Sequence, residues 1–289
     1  MFGMRGESVR VLIAGAATLV IAGASGSAAL AQSDAPWTGA YIGGHVGYGF
    51  RGDDDDAQTI LFDQNLDGVF GDTVTTAATT ANTNAFSPGF CNGAANTGTA
   101  TDGCEQDDDE FTYGARAGYD RQFGDWVVGG IVEVEGTQLQ DSVTAFSITP
   151  ASYVFTRELQ TLLAARVRGG YVYDRYLGYV TAGVATGHIE NSFRTTNAVN
   201  TFSTRDGDTD ATGYQLGGGI EARINDRITV GLEYLYTNLD DDDAYTVRAA
   251  GPAPANNPFV LRNTAGTDLR RPGQDFDFDE VRVTVAYRF

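Results

Sequence analysis

The chain contains 289 residues, and its 38 acidic side chains outnumber 19 basic ones, all of them Arg, for a net charge of −19. Such a charge argues against a nucleic-acid binder, because phosphate backbones are bound by basic surfaces. The longest apolar stretch, near residues 11–24, is interrupted by Gly and Thr. It falls short of the roughly 20 residues that a membrane-spanning helix needs. Apolar residues form 42% of the chain, too many for a disordered protein.

Residues 1–31 have the pattern of a secretory signal peptide. A positively charged start precedes the apolar segment 11–21, and small residues follow up to an A-x-A-type cleavage site at Ala31. We expect the mature chain to begin at Gln32 and residues 32–289 to form one β-barrel domain. An N-terminal core helix is the alternative.

Period-two patterning then predicts eight strands, which is typical of β structure with one apolar face. The predicted strands lie near 38–50, 110–122, 126–139, 158–173, 176–190, 211–224, 227–238 and 276–289. Each is long enough to cross a bilayer as a tilted strand, which takes about 9–11 residues.

Short and long connections alternate along the chain. Three connections are tight turns rich in Gly, Asp and Asn. The other four are long, at about 51–109, 140–157, 191–210 and 239–275. Such alternation places all short turns at one rim of an up-and-down barrel and all long loops at the other. The sequence therefore predicts an all-β fold, an eight-stranded antiparallel transmembrane β-barrel with long extracellular loops. A soluble secreted β-sandwich is the architectural alternative.

Aromatic residues cluster at the ends of the predicted strands, as in the interfacial girdles of membrane barrels. At the short-turn rim these are Trp37, Tyr41, Tyr119, Phe123, Trp126, Tyr173, Tyr176, Tyr287 and Phe289. At the opposite rim they are Tyr48, Phe50, Phe111, Tyr113, Tyr234, Tyr236, Phe276 and Phe278.

Three segments resemble a known family: Trp37-Thr38-Gly39-Ala40-Tyr41-Ile42-Gly43-Gly44, Glu233-Tyr234-Leu235-Tyr236 and Val285-Ala286-Tyr287-Arg288-Phe289. They are similar to the small porin-like, opacity-protein and OmpA-type outer-membrane β-barrels of Gram-negative bacteria. The resemblance implies a barrel in the outer membrane with periplasmic termini. It also implies that Val285, Tyr287 and Phe289 signal to the barrel-assembly machinery. The long, acidic first loop departs from the family pattern.

Charged residues of one strand parity are expected to face the barrel lumen. These residues are Arg116, Glu133, Glu135, Arg166, Arg168, Glu221, Arg223, Glu233, Glu280 and Arg282. Guanidinium and carboxylate groups pair bidentately, and an eight-stranded barrel is just wide enough for side chains to fill. We interpret the set as a polar salt-bridge plug. The alternative is a narrow ion path through rearranging pairs.

The loops carry acidic runs at 53–56, 107–110 and 240–243. Such runs are usually solvated, and cation bridging to lipopolysaccharide phosphates is the alternative. The segment 63–68 matches the first half of a calcium loop, with Asp63, Asn65 and Asp67 as oxygen ligands. Val74 stands where the bidentate Glu belongs, so a turn made by Asn and Asp side chains is the stronger interpretation. Apart from calcium, the sequence implies no cofactor.

The two cysteines, Cys91 and Cys104, are predicted to form a disulfide in an oxidising compartment. The histidines His45 and His188 are the only candidates for a hydrolase site, and no G-x-S-x-G element accompanies them.

The sequence thus favours a structural or surface protein of the Gram-negative outer membrane without a turnover reaction. The expected partners are outer-membrane lipids, lipopolysaccharide and the assembly machinery. A low-conductance porin is the functional alternative, followed by a membrane hydrolase.

Overall fold

The computed structural model describes residues 36–51, 59–76, 83–107, 109–205, 207–241, 244–273 and 275–289. The strands in these ranges are β1 (Gly39–Phe50), β2 (Leu61–Asp63), β3 (Gly89–Asn92), β4 (Ala94–Ala95), β5 (Cys104–Glu105), β6 (Glu110–Phe123), β7 (Trp126–Ser147), β8 (Ala151–Tyr173), β9 (Tyr176–Thr195), β10 (Thr201–Arg205), β11 (Thr209–Arg223), β12 (Ile228–Asp240), β13 (Tyr245–Ala250), β14 (Thr267–Arg271) and β15 (Phe276–Arg288). Two short 3-10 turns lie at Ala100–Asp102 and Pro258–Val260. The predicted signal peptide and the acidic run 53–56 lie outside the described residues.

The long strands pair in a closed ring. Every pair is antiparallel, in the order β1, β6, β7, β8, β9, β11, β12 and β15, and β15 returns to pair with β1. The short strand β3 joins the end of β7, which gives the sheet a ninth strand. The predicted all-β antiparallel fold is confirmed. No helix within the described ranges has the length and apolar character to cross a membrane.

Side chains alternate between the two faces of the ring, as the pleat of a β-strand requires. In β12, Leu232 and Tyr234 are exposed on the outer face, whereas Glu233 and Leu235 are buried inside. In β15, Val283 is exposed and Arg282 is buried. The outer face is therefore apolar and the inner face carries the charges.

The aromatic prediction is wrong at four positions. Trp37, Tyr41, Phe276 and Phe278 are buried. Strand parity turns Tyr41, Phe276 and Phe278 inward, whereas Trp37 precedes β1 and packs in the cluster of Val127, Leu177 and Tyr179. The other predicted girdle residues remain on the outer face or are partly buried near it.

The predicted long loop 140–157 is also wrong. Strands β7 and β8 continue through this segment and meet in a hairpin around Thr149, and a register shift in each marks where the extension begins. Most side chains from Val143 to Phe155 are buried, because other chain segments cover both faces. A strand covered on both sides shows no apolar–polar alternation, so the sequence had no period-two signal here.

The extension is the base of a folded head at the long-loop end of the ring. A second sheet, in the order β10-β13-β14-β2, comes from the first loop, the third loop and the fourth loop. One apolar cluster joins this sheet to the extensions of β7 and β8. Its largest side chains are Phe62, Phe86, Tyr153, Phe155, Tyr245 and Phe259. The long loops thus form a packed body.

The predicted disulfide between Cys91 and Cys104 is confirmed, with a Cα–Cα distance of 6.2 Å. Cys91 lies in β3, which pairs with β7, and Cys104 lies in β5. The bond therefore fastens the middle of the first loop to the base of the head.

Candidate functional site

The centre of the ring contains a hub built on Arg282. Its Nη2 donates to Glu133 Oε2 at 2.8 Å, its Nε donates to Glu233 Oε2 at 2.8 Å, and its Nη1 donates to Glu135 Oε2 at 3.1 Å. A longer bond of 3.4 Å reaches Glu280. All five side chains are fully buried. One guanidinium thus connects carboxylates from β7, β12 and β15.

Two more arginines share these carboxylates. Arg166 Nη2 donates to Glu133 at 2.6 Å, and Arg116 Nη1 donates to Glu233 at 3.2 Å. The hydroxyl of Tyr179 donates to Glu233 at 3.0 Å. The network therefore crosses the full width of the ring.

A second ionic layer lies toward the short-turn rim. Arg168 donates to Asp120 Oδ1 at 2.8 Å and to Glu221 Oε2 at 2.9 Å. Arg288 also bonds Asp120 and donates to the carbonyl of Trp37 at 3.0 Å. The indole of Trp37, 4.9 Å from the Arg288 guanidinium, is fully buried and fills this end of the ring.

An apolar layer lies between the central hub and the head. Its members are Leu139, Leu159, Leu162, Ala164, Ala185, Ile189, Ala211, Leu239, Phe276 and Phe278. All of them are buried, and none belongs to the core of the head. The apolar surface of this layer disfavours the passage of water or an ion between the hub and the head.

A third ionic layer closes the ring beneath the head. Asp141 receives hydrogen bonds from Arg157 and from Arg271, the latter at 2.6 Å, and Arg51 lies 2.9 Å away. Arg157 also contacts Asp241 at 3.0 Å. These residues come from the extensions of the ring strands and from β14, so they connect the ring to the head.

Nine of the ten predicted lumen residues are buried inside the ring. The exception is Arg223, which is partly exposed at the short-turn rim and pairs with Asp226 at 3.5 Å. Its position at the end of β11 explains the difference, because the strand there has already left the interior. Sequence reasoning missed Asp120 and Arg288, which share the inward parity of Arg116 and Arg282 on the same strands. The parity rule would have found both.

Among the described residues, those best placed to hold a metal are His45, Glu135 and Glu280, whose ligand atoms lie within 4.8 Å of one another. The guanidinium of Arg282 already contacts all three, at 3.3 Å, 3.1 Å and 3.4 Å. Its positive charge fills the role a metal ion would have. His188 lies outside, partly exposed, and pairs with Asp210 at 2.9 Å.

The predicted calcium ligands stabilise a turn. Asp63 accepts backbone N–H groups from Leu66 at 2.6 Å and from Gly68 at 2.8 Å. The Asn65 amide donates to Asp67 at 3.0 Å. These hydrogen bonds are those of an Asn/Asp turn, and calcium binding at this turn stays a prediction.

The acidic runs are not uniformly solvated. Asp107, in the first loop outside the ring strands, accepts the Ser142 N–H through both oxygens, at 2.9 Å and 3.0 Å. Burial raises the pKa of Asp107 from 3.8 to about 6, and nearby Asp141 adds to this effect. Asp241 is likewise buried.

We expect the raised pKa of Asp107 to make the head less stable as pH rises from about 4 to about 6. In this window the folded state holds a proton that the unfolded state has released, so raising the pH removes a stabilising proton. The effect is at most about 3 kcal/mol. Asp107→Asn keeps an acceptor for Ser142 and should lose this part of the pH dependence, as measured by urea unfolding in detergent between pH 4 and pH 7. A constant difference between the variant and the parent protein across this range would contradict the expectation.

Comparisons with known proteins agree with this architecture. Residues 16–289 match the outer membrane protein beta-barrel domain family. The 31 kDa outer-membrane immunogenic protein of Brucella melitensis is 28% identical over 181 residues, 62% of this chain and 66% of that protein. The 22 kDa outer membrane protein of Rhizobium leguminosarum is 35% identical over 80 residues, 28% of this chain and 34% of that protein. The match thus spans just under two thirds of the Brucella relative.

Among solved structures, the outer membrane protein OprG of Pseudomonas aeruginosa is similar, with a TM-score of 0.42 and 14% identity over 87% of this chain and 96% of that chain.

The ring with its apolar outer face defines an outer-membrane β-barrel protein. The chain belongs to the outer membrane protein beta-barrel domain family, which confirms the predicted family and the predicted location in the Gram-negative outer membrane.

Proposed function

We propose that the protein is an eight-stranded transmembrane barrel with a structural and surface role, and that its lumen is permanently closed. The observation that carries this proposal is the presence, inside the ring, of three buried ionic layers and one buried apolar layer. Buried ion pairs occupy the inside of the ring, whereas a pore needs a continuous wet path. The protein catalyses no reaction in this proposal.

The long loops face the cell exterior in this proposal and form the folded head. The short turns and both termini of the mature chain face the periplasm. Val285, Tyr287 and Phe289 lie exposed on the outer face of β15, where the assembly machinery could contact them during insertion. Outer-membrane lipids and lipopolysaccharide surround the apolar outer face.

Planar-bilayer recording on the purified mature protein tests the closed lumen. We expect no steady conductance, because an ion would have to cross the apolar layer around Leu139 and Leu239. A large, steady conductance would show that the layers open and would favour the low-conductance porin instead. Heat-modifiable migration in a detergent gel is the control that the same preparation contains folded barrel.

A further inference from the structure

Each of the three tight hairpins at the short-turn rim carries an exposed arginine whose guanidinium lies over an aromatic ring. The hairpins are β6–β7, β8–β9 and β11–β12. The distances from guanidinium to ring centre are 5.0 Å for Arg121 on Phe123, 5.4 Å for Arg175 on Tyr176 and 6.0 Å for Arg227 on Tyr287. We call Arg121, Arg175 and Arg227 the stacked arginines. The ring face attracts each cation and holds it close to the outer face of the ring of strands.

The stacked arginines have donors available for a ligand. Among the described residues, no carboxylate lies within ion-pair distance of any of them. The aspartates of the same turns have other contacts: Asp125 accepts the Tyr171 hydroxyl at 3.2 Å, and Asp226 lies 3.5 Å from Arg223. Arg227 Nη1 donates to the Tyr287 hydroxyl at 2.9 Å. A guanidinium has five N–H donors, so this bond leaves others for an anion.

The stacks border the apolar outer face. Trp126 and Tyr173 are exposed on the same rim, and Val128 and Val167 are exposed further along the same face. Aromatic rings at the edge of a membrane-spanning surface lie at the depth of the lipid headgroups. A long cationic side chain at this edge reaches the same depth. The stacked arginines therefore lie where a headgroup phosphate would be.

The opposite end of the outer face has the opposite charge. Glu190 and Asp210 are exposed there on β9 and β11, and Asp279 is partly exposed on β15. Carboxylates repel an anionic headgroup, whereas the stacked arginines attract one. The charge pattern of the outer face thus distinguishes one rim from the other.

We propose that the stacked arginines bind the phosphates of anionic glycerophospholipids, with one lipid at each hairpin. A guanidinium matches a phosphate with two parallel N–H donors, and the ring beneath it fixes its position. The acyl chains lie along the apolar outer face, a contact that free phosphate cannot make. The inference rests on the transmembrane placement in the proposed function, and it adds the class of lipid and the residues that select it.

Native mass spectrometry of the folded mature protein in a non-ionic detergent tests the inference. The probes are phosphatidylglycerol, phosphatidylethanolamine and inorganic phosphate. We expect up to three phosphatidylglycerol molecules to bind preferentially, and phosphatidylethanolamine to bind more weakly because its ammonium group offsets the phosphate charge. Inorganic phosphate at millimolar concentration should not displace the lipid. Equal binding of the two lipids, or displacement by inorganic phosphate, would overturn the proposal.

Two triple variants with the same loss of charge locate the binding. The rim variant carries Arg121→Gln, Arg175→Gln and Arg227→Gln. The head variant carries Arg194→Gln, Arg205→Gln and Arg262→Gln, at exposed positions on the long-loop side. An arginine near an anionic lipid contributes about fivefold to binding, so the rim variant should bind phosphatidylglycerol about fivefold more weakly at each hairpin. It should also lose the preference over phosphatidylethanolamine, whereas the head variant should keep both.

Unchanged binding by the rim variant, or an equal loss in the head variant, would show that the stacked arginines do not select the lipid. Heat-modifiable migration shows that each variant is folded before the measurement. The binding assay depends neither on conductance nor on which rim faces the periplasm. Steady conductance with intact lipid preference would therefore contradict only the closed lumen, and lost preference without conductance would contradict only the lipid sites.

Discussion

Replacing Arg282 with Met should destabilise the folded barrel by about 3–5 kcal/mol, because the change leaves buried carboxylates without a positively charged partner. Four glutamates contact this one guanidinium, and Arg116 and Arg166 reach only Glu133 and Glu233. Glu135 and Glu280 would keep no arginine partner among the described contacts. Urea unfolding in detergent, followed by tryptophan fluorescence and by gel migration, measures the effect.

Arg223→Met is the matched control for this experiment. Arg223 has the same charge and the same strand parity, but it lies partly exposed at the rim, where an ion pair contributes about 0–1 kcal/mol. A second substitution, Glu135→Gln in the Arg282→Met background, should restore part of the stability, because it removes one of the two buried carboxylates left without an arginine partner. If Arg282→Met stays within 1 kcal/mol of the parent protein, the lumen is hydrated and the closed plug is wrong.

Replacing Phe276 with Ala should cost about 3–5 kcal/mol, because the side chain is fully buried and its removal leaves a cavity. The ring also lies under two guanidinium groups, 4.8 Å from that of Arg51 and 5.5 Å from that of Arg157. Its loss therefore weakens the apolar layer and the third ionic layer together. The free energy of unfolding in urea is the measurement.

Phe111→Ala makes the same chemical change on the outer face, where the ring is 74% exposed. Lipid or detergent fills the space that this ring leaves, so the loss of stability should be clearly smaller. Equal losses for the two variants would mean that the interior at Phe276 relaxes around the deletion, and that the apolar layer is loosely packed.

Strand periodicity predicted the ring well, because a half-buried strand repeats every two residues and the parity assigns each side chain to a face. Glu133 and Arg166 were placed inside on this basis alone, and they are bonded there at 2.6 Å. Parity gives the face of a side chain but not its depth along the ring. The sequence therefore did not reveal that the inward Leu139 and Leu239 form an apolar layer between ionic ones.

The sequence did not predict the folded head, for a different reason. Its strands β2, β10, β13 and β14 are short and are separated by long stretches of sequence. Their pairing depends on tertiary contacts, such as those of Phe62 and Leu269 in the common core, and not on a local repeat. Asp141, the centre of the third ionic layer, lay in a segment predicted as loop, so no parity could be assigned to it.

The uninterrupted run of β7 and β8 from the rim into the head has a consequence for immune recognition. Because the surface of the head is assembled from the hairpin, the third loop and the fourth loop, neighbouring positions there are distant in the sequence. Antibodies raised against the native protein should see discontinuous epitopes, which synthetic peptides copied from single loops would fail to reproduce.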